Sequence, residues 1–196
     1  MRTLLAVAFL ALLAPPAHAQ TPLGAITVRI ETTAGSILVT LDSARAPITT
    51  VNFLEYVDGG YYTNGSFFRT VRADNQPRDS VKIGVIQGGP DTTKNGDAFG
   101  PIPLERTTAT GLHHLDGTIS MARDGPNTAT SSFFICIGDQ PSLDFGGHRN
   151  LDGQGFAAFG RVIQGMDVVR RIQADPADGQ RLTPPVTILS IERVAR

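Results

Sequence analysis

Breakers interrupt this chain every few residues. Its 21 glycines and 13 prolines are scattered along 196 positions rather than gathered at a few hinges, so many short strands are favoured over long helices. Between the breakers, apolar and polar residues alternate. The stretch "AITVRIETTAGSILVTL" at 25–41 carries two such alternations about "TAGS", a hairpin pattern. Further strands are predicted at 66–71, 83–87, 117–121, 132–137, 157–163 and 186–194. Two segments follow a different period. "APITTVNFLEYVDGG" spaces Val51, Leu54, Tyr56 and Val57 as a helix would and closes at Gly59–Gly60, and "GMDVVRRIQA" reads as a second short helix before the last strand. No internal repeat or low-complexity segment appears. Eight or so strands with two separated helices predict a mainly β fold, a closed or nearly closed antiparallel barrel capped by helices.

The N-terminus reads as an export signal. Arg2 supplies a positive start, "LLAVAFLALLA" the apolar stretch, and "AHA" at 17–19 the small-residue cleavage pattern. The expected cut follows Ala19, so 1–19 is a cleaved signal peptide and 20–196 a single mature domain starting at Gln20. The apolar run falls short of the roughly 20 residues that a membrane span needs, and no cysteine at the cut offers a lipid anchor. A soluble chain exported to the periplasm or the extracellular space is expected. The net charge of −1 implies neither a nucleic-acid nor a membrane surface. Cys136 is the only cysteine; inside "FFICIG", with no basic neighbour to activate it, it reads as a small buried core residue.

Alternation also assigns faces, because residues two apart along a strand share one. In "GSFFRTVRADNQPRDSVKIGVIQGGP" at 65–90, Arg69 opposes Phe68, while Gln87 shares a face with Val85 and opposes Ile86. In "SSFFICIG", Ser132 and Phe134 lie on one face, Phe133 and Ile135 on the other. The expected interior therefore takes Phe68, Ile86, Phe133 and Ile135. The outer face then presents Arg69, Val85, Gln87 and Phe134, an apolar floor beside one guanidinium and one amide.

These residues sit within blocks whose order is specific. "TTAGSILVTLDSARAPITTVNFLEYVDGGYYTNGSFFRTV", "GVIQGGP", "GTISMARDGPNTATSSFFICIGDQPSLDF" and "FAAFGRVIQGMDVV" together resemble the cyclophilins, a family of peptidyl-prolyl cis-trans isomerases. The resemblance implies an eight-stranded closed antiparallel barrel with an α-helix at each end. It places Arg69 on the family's catalytic arginine and Gln87 on the glutamine that holds substrate and arginine. Val85 takes the place of a pocket methionine, Phe134 and Leu143 match walls of the proline pocket, and Ala122 keeps its family identity. Arg123 stands where the backbone grips the peptide, in place of an asparagine. Ser132 replaces a second pocket glutamine, Gly84 a bulky aromatic, and Ser142 a tryptophan found in some members. Two insertions depart from the pattern, "RADNQPRDSVK" at 72–82 and "FGGHRNLDGQG" at 145–155. The second leaves Phe156 where a pocket histidine often lies, and either Phe145 or Phe156 could replace the missing aromatic wall. The implied partners are proline-containing, unfolded or partly folded polypeptides, bound by a monomer. Neither metal nor cofactor is called for, since no covalent bond is made or broken. A non-catalytic peptide-binding or chaperone module on the same barrel is the competing reading; the arginine, which binding alone does not require, favours catalysis.

Other polar clusters carry less. His113 and His114 are adjacent, so their side chains are expected to diverge from a loop, and His148 lies in the second insertion. "DTTKNGD" at 91–97 lacks the glutamate that ends a calcium loop. "NGS" at 64–66 reads as a tight turn. Ser131 and Ser132 have no partnered histidine in sequence, which argues against a serine hydrolase.

Overall fold

The computed structural model describes residues 25–77 and 79–195; the expected signal peptide lies outside them. The hairpin signal becomes β1 (Ala25–Thr32) and β2 (Gly35–Asp42). β3 (Ser66–Val71), β4 (Val85–Gly89), β5 (Thr118–Met121), β6 (Phe133–Cys136) and β7 (Ala157–Gln164) follow the predicted segments closely. A two-residue β8 (Ala177–Asp178) then folds back on β9 (Arg181–Arg193). Strand order is β1-β2-β7-β5-β6-β4-β3-β9, and β9 pairs again with β1. Eight strands thus close an antiparallel ring, with β8 a spur on its side. β9 begins five residues earlier than predicted. Its Pro184 and Pro185 fall in the irregular stretch between the Phe67↔Val186 and Arg69↔Arg181 pairs, where no ladder N–H is required.

Two helices plug the ring. α1 (Pro47–Asp58) follows the far end of β2, whereas α3 (Met166–Ala174) follows β7 where Gln164 faces Leu38, near the start of β2. They therefore lie at opposite ends. A four-residue α2 (Thr107–Thr110) adds a short turn that the sequence pattern did not separate. No residue of α1 caps its own N-terminus; instead Glu105 accepts the N–H groups of Ile48 and Thr49 at 3.1 and 2.7 Å. A carboxylate there answers both the open donors and the helix dipole. Val51, expected on the buried face, is 55% exposed. Phe53 defines the inward face of α1, and a residue two positions away sits about 200° round the helix axis.

The interior is an aromatic cluster. Phe53 meets Tyr62, Phe133 and Phe159 at ring separations of 5.3, 5.5 and 5.2 Å, and Phe133 also packs on Phe67 at 5.7 Å. Ile86, Phe133 and Ile135 point inward as alternation predicts. Phe68 does not, and Phe67 takes the place in the core. The cause is a β-bulge: Phe67 pairs with Gly88 and Arg69 with Gln87, leaving Phe68 as an extra residue. A second cluster of Val71, Val85, Phe134, Cys136 and Leu143 gathers on the outside of the barrel wall, joined by Ile83, Ala122 and Phe156. Cys136 is buried there, and burial pushes its thiol pKa well up, so it stays protonated and unreactive.

Candidate active site

Register on three neighbouring strands builds the site. Arg69 on β3 stands opposite Gln87 on β4, and Gln87 stands opposite Phe134 on β6. One rung further on, Val71, Val85 and Cys136 form the apolar floor. A cleft of about 340 Å³ opens above these rungs, and all nine residues singled out from sequence line it. Arg69, Gln87, Val85 and Phe134 come from the strands; Ala122, Arg123 and Ser132 follow β5 or precede β6; Leu143 and Phe156 flank the second insertion.

The Arg69 guanidinium is held by two amides. Its Nη1 donates to Gln87 Oε1 at 2.8 Å, while Nε and Nη2 both donate to Gln180 Oε1 at 2.9 and 2.6 Å. Gln180 occupies the turn between β8 and β9, and its carbonyl also accepts the Thr70 N–H at 2.9 Å. Sequence reading missed this residue, since nothing in "ADGQR" marks a glutamine that folds back 111 positions. Neutral acceptors fix the fork without neutralising it. Burial lowers the Arg69 pKa, nearby Arg149 lowers it further and Asp79 opposes this, but an arginine so displaced remains charged.

The aromatic wall is Phe156. Its ring meets Phe134 edge-on at 5.4 Å and 90°, whereas Phe145 is 42% exposed and lies beside Arg106 outside the cleft. Arg123 explains how Phe156 stays in place. Its guanidinium, 1% exposed, forks onto Asp152 at 2.7 and 3.0 Å, donates twice to the Gly155 carbonyl, and lies 4.9 Å over the Phe156 ring. The substitution at Arg123 and the 145–155 insertion are thus one device. Gly155 is required there, because a Cβ would come within 2.6 Å of the Asp144–Phe145 peptide, and its φ is +68°. The first insertion is wound about Gln76, whose amide bonds Arg72 O and Ile83 O and accepts from Ile83 N. At Gly84, backbone fills the space: a Cβ would stand 2.8 Å from the Ile137 carbonyl, with the Gln140 and Gln173 amides beyond.

His113 and His114 lie in a loop, but their side chains converge. Both Nδ1 atoms bond Asp144, at 2.8 and 2.6 Å, and the buried His114 continues through Nε2 to Ser120 Oγ at 3.0 Å. Serine, histidine and carboxylate are linked in the order of a hydrolytic triad. Ser120 is 0% and His114 1% exposed, however, so no substrate reaches the hydroxyl. The chain instead supports the cleft: His114 stacks under Phe134 at 6.0 Å, and Asp144 adjoins Leu143.

Burial pushes the Asp144 carboxyl up, but hydrogen bonds from His114 and His113 outweigh it and hold its pKa below the ordinary carboxylate range. A depressed carboxyl stabilises the fold above its unfolded pKa of about 3.9, and that stabilisation disappears as pH falls through the folded value. The Asp144→Asn variant should therefore lose about 1.5–3 kcal/mol at pH 7 and show a flatter acid limb than the parent. Urea unfolding from pH 7 down to pH 3 checks this; parallel curves for the two proteins would refute it.

Known proteins now bear on this geometry. The family model described as cyclophilin type peptidyl-prolyl cis-trans isomerase/CLD matches residues 27–193. Peptidyl-prolyl cis-trans isomerase A of Dickeya dadantii is 36% identical over 146 residues, covering 74% of this chain and 70% of that protein. Peptidyl-prolyl cis-trans isomerase cyp18 of Streptomyces antibioticus is 36% identical over 148 residues, covering 75% and 82%. Among solved structures, a Cryptosporidium parvum cyclophilin type peptidyl-prolyl cis-trans isomerase superposes with a TM-score of 0.71 at 26% identity, covering 88% of this chain and 99% of that one. The same protein crystallised in the presence of the dipeptide Ala-Pro superposes at 0.70, with 26% identity and coverage of 87% and 99%.

Proposed function

This chain belongs to the cyclophilin-type peptidyl-prolyl cis-trans isomerases, and we propose that it turns X–Pro bonds over in the cleft above β3, β4 and β6, with Arg69 as the catalytic group and Gln87 as its brace. The observation that carries the assignment is the row of Arg69, Gln87 and Phe134 on adjoining strands.

The chemistry is a rotation. An X–Pro bond is held planar by amide resonance behind a barrier of about 18–20 kcal/mol. As it twists, resonance is lost and the proline nitrogen regains a lone pair. A guanidinium beside that nitrogen donates to the twisted amide but finds little to bond in the planar one, and that difference lowers the barrier. Arg69 bonds Gln87 and Gln180 through three of its five N–H groups, leaving one on each terminal nitrogen for substrate. Phe134, Phe156, Val85 and Leu143 hold the proline ring while the rest of the chain turns. Ala122 and Arg123 offer backbone to the residue before the proline, and Ser132 adds a hydroxyl at that end.

A protease-coupled assay with a proline-containing test peptide decides the matter. Wild type should accelerate cis-to-trans conversion; binding without acceleration would instead make the protein a proline-peptide-binding or chaperone module. Export is part of the same proposal. It rests on the signal pattern at 1–19, and the buried, protonated Cys136 suits an oxidising compartment. Clients would then be unfolded or partly folded exported proteins, handled by a monomer in the periplasm or outside the cell. Intact mass of the secreted chain should place its first residue at Gln20.

A further inference from the structure

The two ends of the cleft differ chemically. Past Gln87 along β4 stand the hydroxyls of Thr130 and Ser132; past Val85, at the other end, stand Ile83, Asn150 and the guanidinium of Arg149. Arg149 belongs to the 145–155 insertion and reaches across to the 72–82 insertion. Its side chain is only 14% exposed, so its hydration is already largely lost. Every bond it makes leaves from one nitrogen. Nη1 meets Val81 O at 2.7 Å, Gln76 Oε1 at 3.1 Å and Asp79 Oδ2 at 3.0 Å. Among the described residues, Nε and Nη2 have no hydrogen-bond partner, although the side chain lines the cleft. A fork pinned by one corner presents its other edge to whatever lies in the groove. Charge points the same way. Arg69 is held by neutral amides, and among the described residues Arg149 and Asp79 are the charged groups that act on it, so two guanidiniums here share the Asp79 carboxylate.

We propose that Arg149 makes this isomerase selective for X–Pro bonds followed by an acidic residue, whose side-chain carboxylate takes the free edge of the Arg149 guanidinium. The proposal rests on the isomerase reading of the cleft. That reading assigns the residue before the proline to the Ala122–Arg123 side, which leaves the Arg149 end for the residue after it. A charged pair formed in a groove partly shielded from water is stronger than one on an open surface.

The experiment measures cis–trans exchange directly by NMR, without a helper protease whose own preferences intrude. The substrates are Ala–Ala–Pro–Glu–Ala, its Pro–Gln counterpart, and a control with the glutamate moved ahead of the proline. Wild type should show kcat/KM roughly tenfold higher for Pro–Glu than for Pro–Gln, the scale of one charge-assisted hydrogen bond. Added salt should erode the ratio. Arg149→Gln should bring it near unity, and Arg149→Lys should retain part of it. If Arg149 merely ties the two insertions together, its loss changes both peptides alike and leaves the ratio intact, which overturns the proposal. So does a wild-type ratio near unity, or an equal preference for the control. Should Arg149→Gln fail to fold, the wild-type ratio, its salt dependence and Arg149→Lys still decide. Wild type that accelerates none of the peptides would sink the isomerase reading itself, a result distinct from equal acceleration of all.

Discussion

Replacing Arg69 by alanine should lower kcat/KM for X–Pro isomerisation about 10²–10³-fold, equivalent to about 2.7–4 kcal/mol, the usual loss on removing one preorganised donor aimed at a transition state. The fold should survive, because Gln87 and Gln180 line or adjoin open clefts where water can replace the lost guanidinium. Arg69→Lys should recover little. An ammonium cannot span Gln87 and Gln180 while still offering hydrogens to the proline nitrogen. Paired activity assays and thermal melts check both halves: full activity in Arg69→Ala removes the residue from its role, and collapse of the melt would show a structural one.

Phe133 and Phe134 should give opposite phenotypes although they are neighbours. Phe133 is 0% exposed, inside the barrel, edge-on to Phe53 and Tyr62 at 5.5 Å each and to Phe67 at 5.7 Å. Truncation to alanine leaves a cavity that surrounding strands cannot close, at a cost of about 3–5 kcal/mol. Phe134 faces outward onto the cleft. Phe134→Ala should keep more of the stability and instead raise KM, since the proline ring loses its main wall. Chemical denaturation combined with peptide turnover separates the two; equal stability losses with unchanged KM would contradict the assignment of faces.

That contrast was legible in sequence because a period of two needs no knowledge of the partner strand. Val85, Ile86, Gln87, Phe133, Phe134 and Ile135 all fall where alternation puts them. Phe68 shows the limit of the rule. A bulge is a mismatch between two strands, and its position depends on where β4 and β9 run relative to β3. The supporting groups were hidden for a related reason. Gln180 reaches Arg69 across 111 positions, and Arg149 reaches Gln76 across 73. Neither partner shares a period or motif with the other. His113 and His114 illustrate the same blindness: adjacency suggested divergence, yet Asp144 draws both rings together. The two insertions were visible as departures from the family pattern. That Arg123 and Arg149 fasten them to the cleft follows only from tertiary contact.

The seam between β1 and β9 has a consequence for how the molecule is made. The first and last strands of the domain are hydrogen-bonded neighbours, and β9 also completes the pairing of β3. During synthesis the sheet therefore keeps two raw borders until β9 has left the ribosome, and any chain cut short before Arg181 would carry them permanently. Sticky borders of this kind invite association with other chains. A catalyst of other proteins' maturation would thus be, for the length of its own birth, a client in need of shelter.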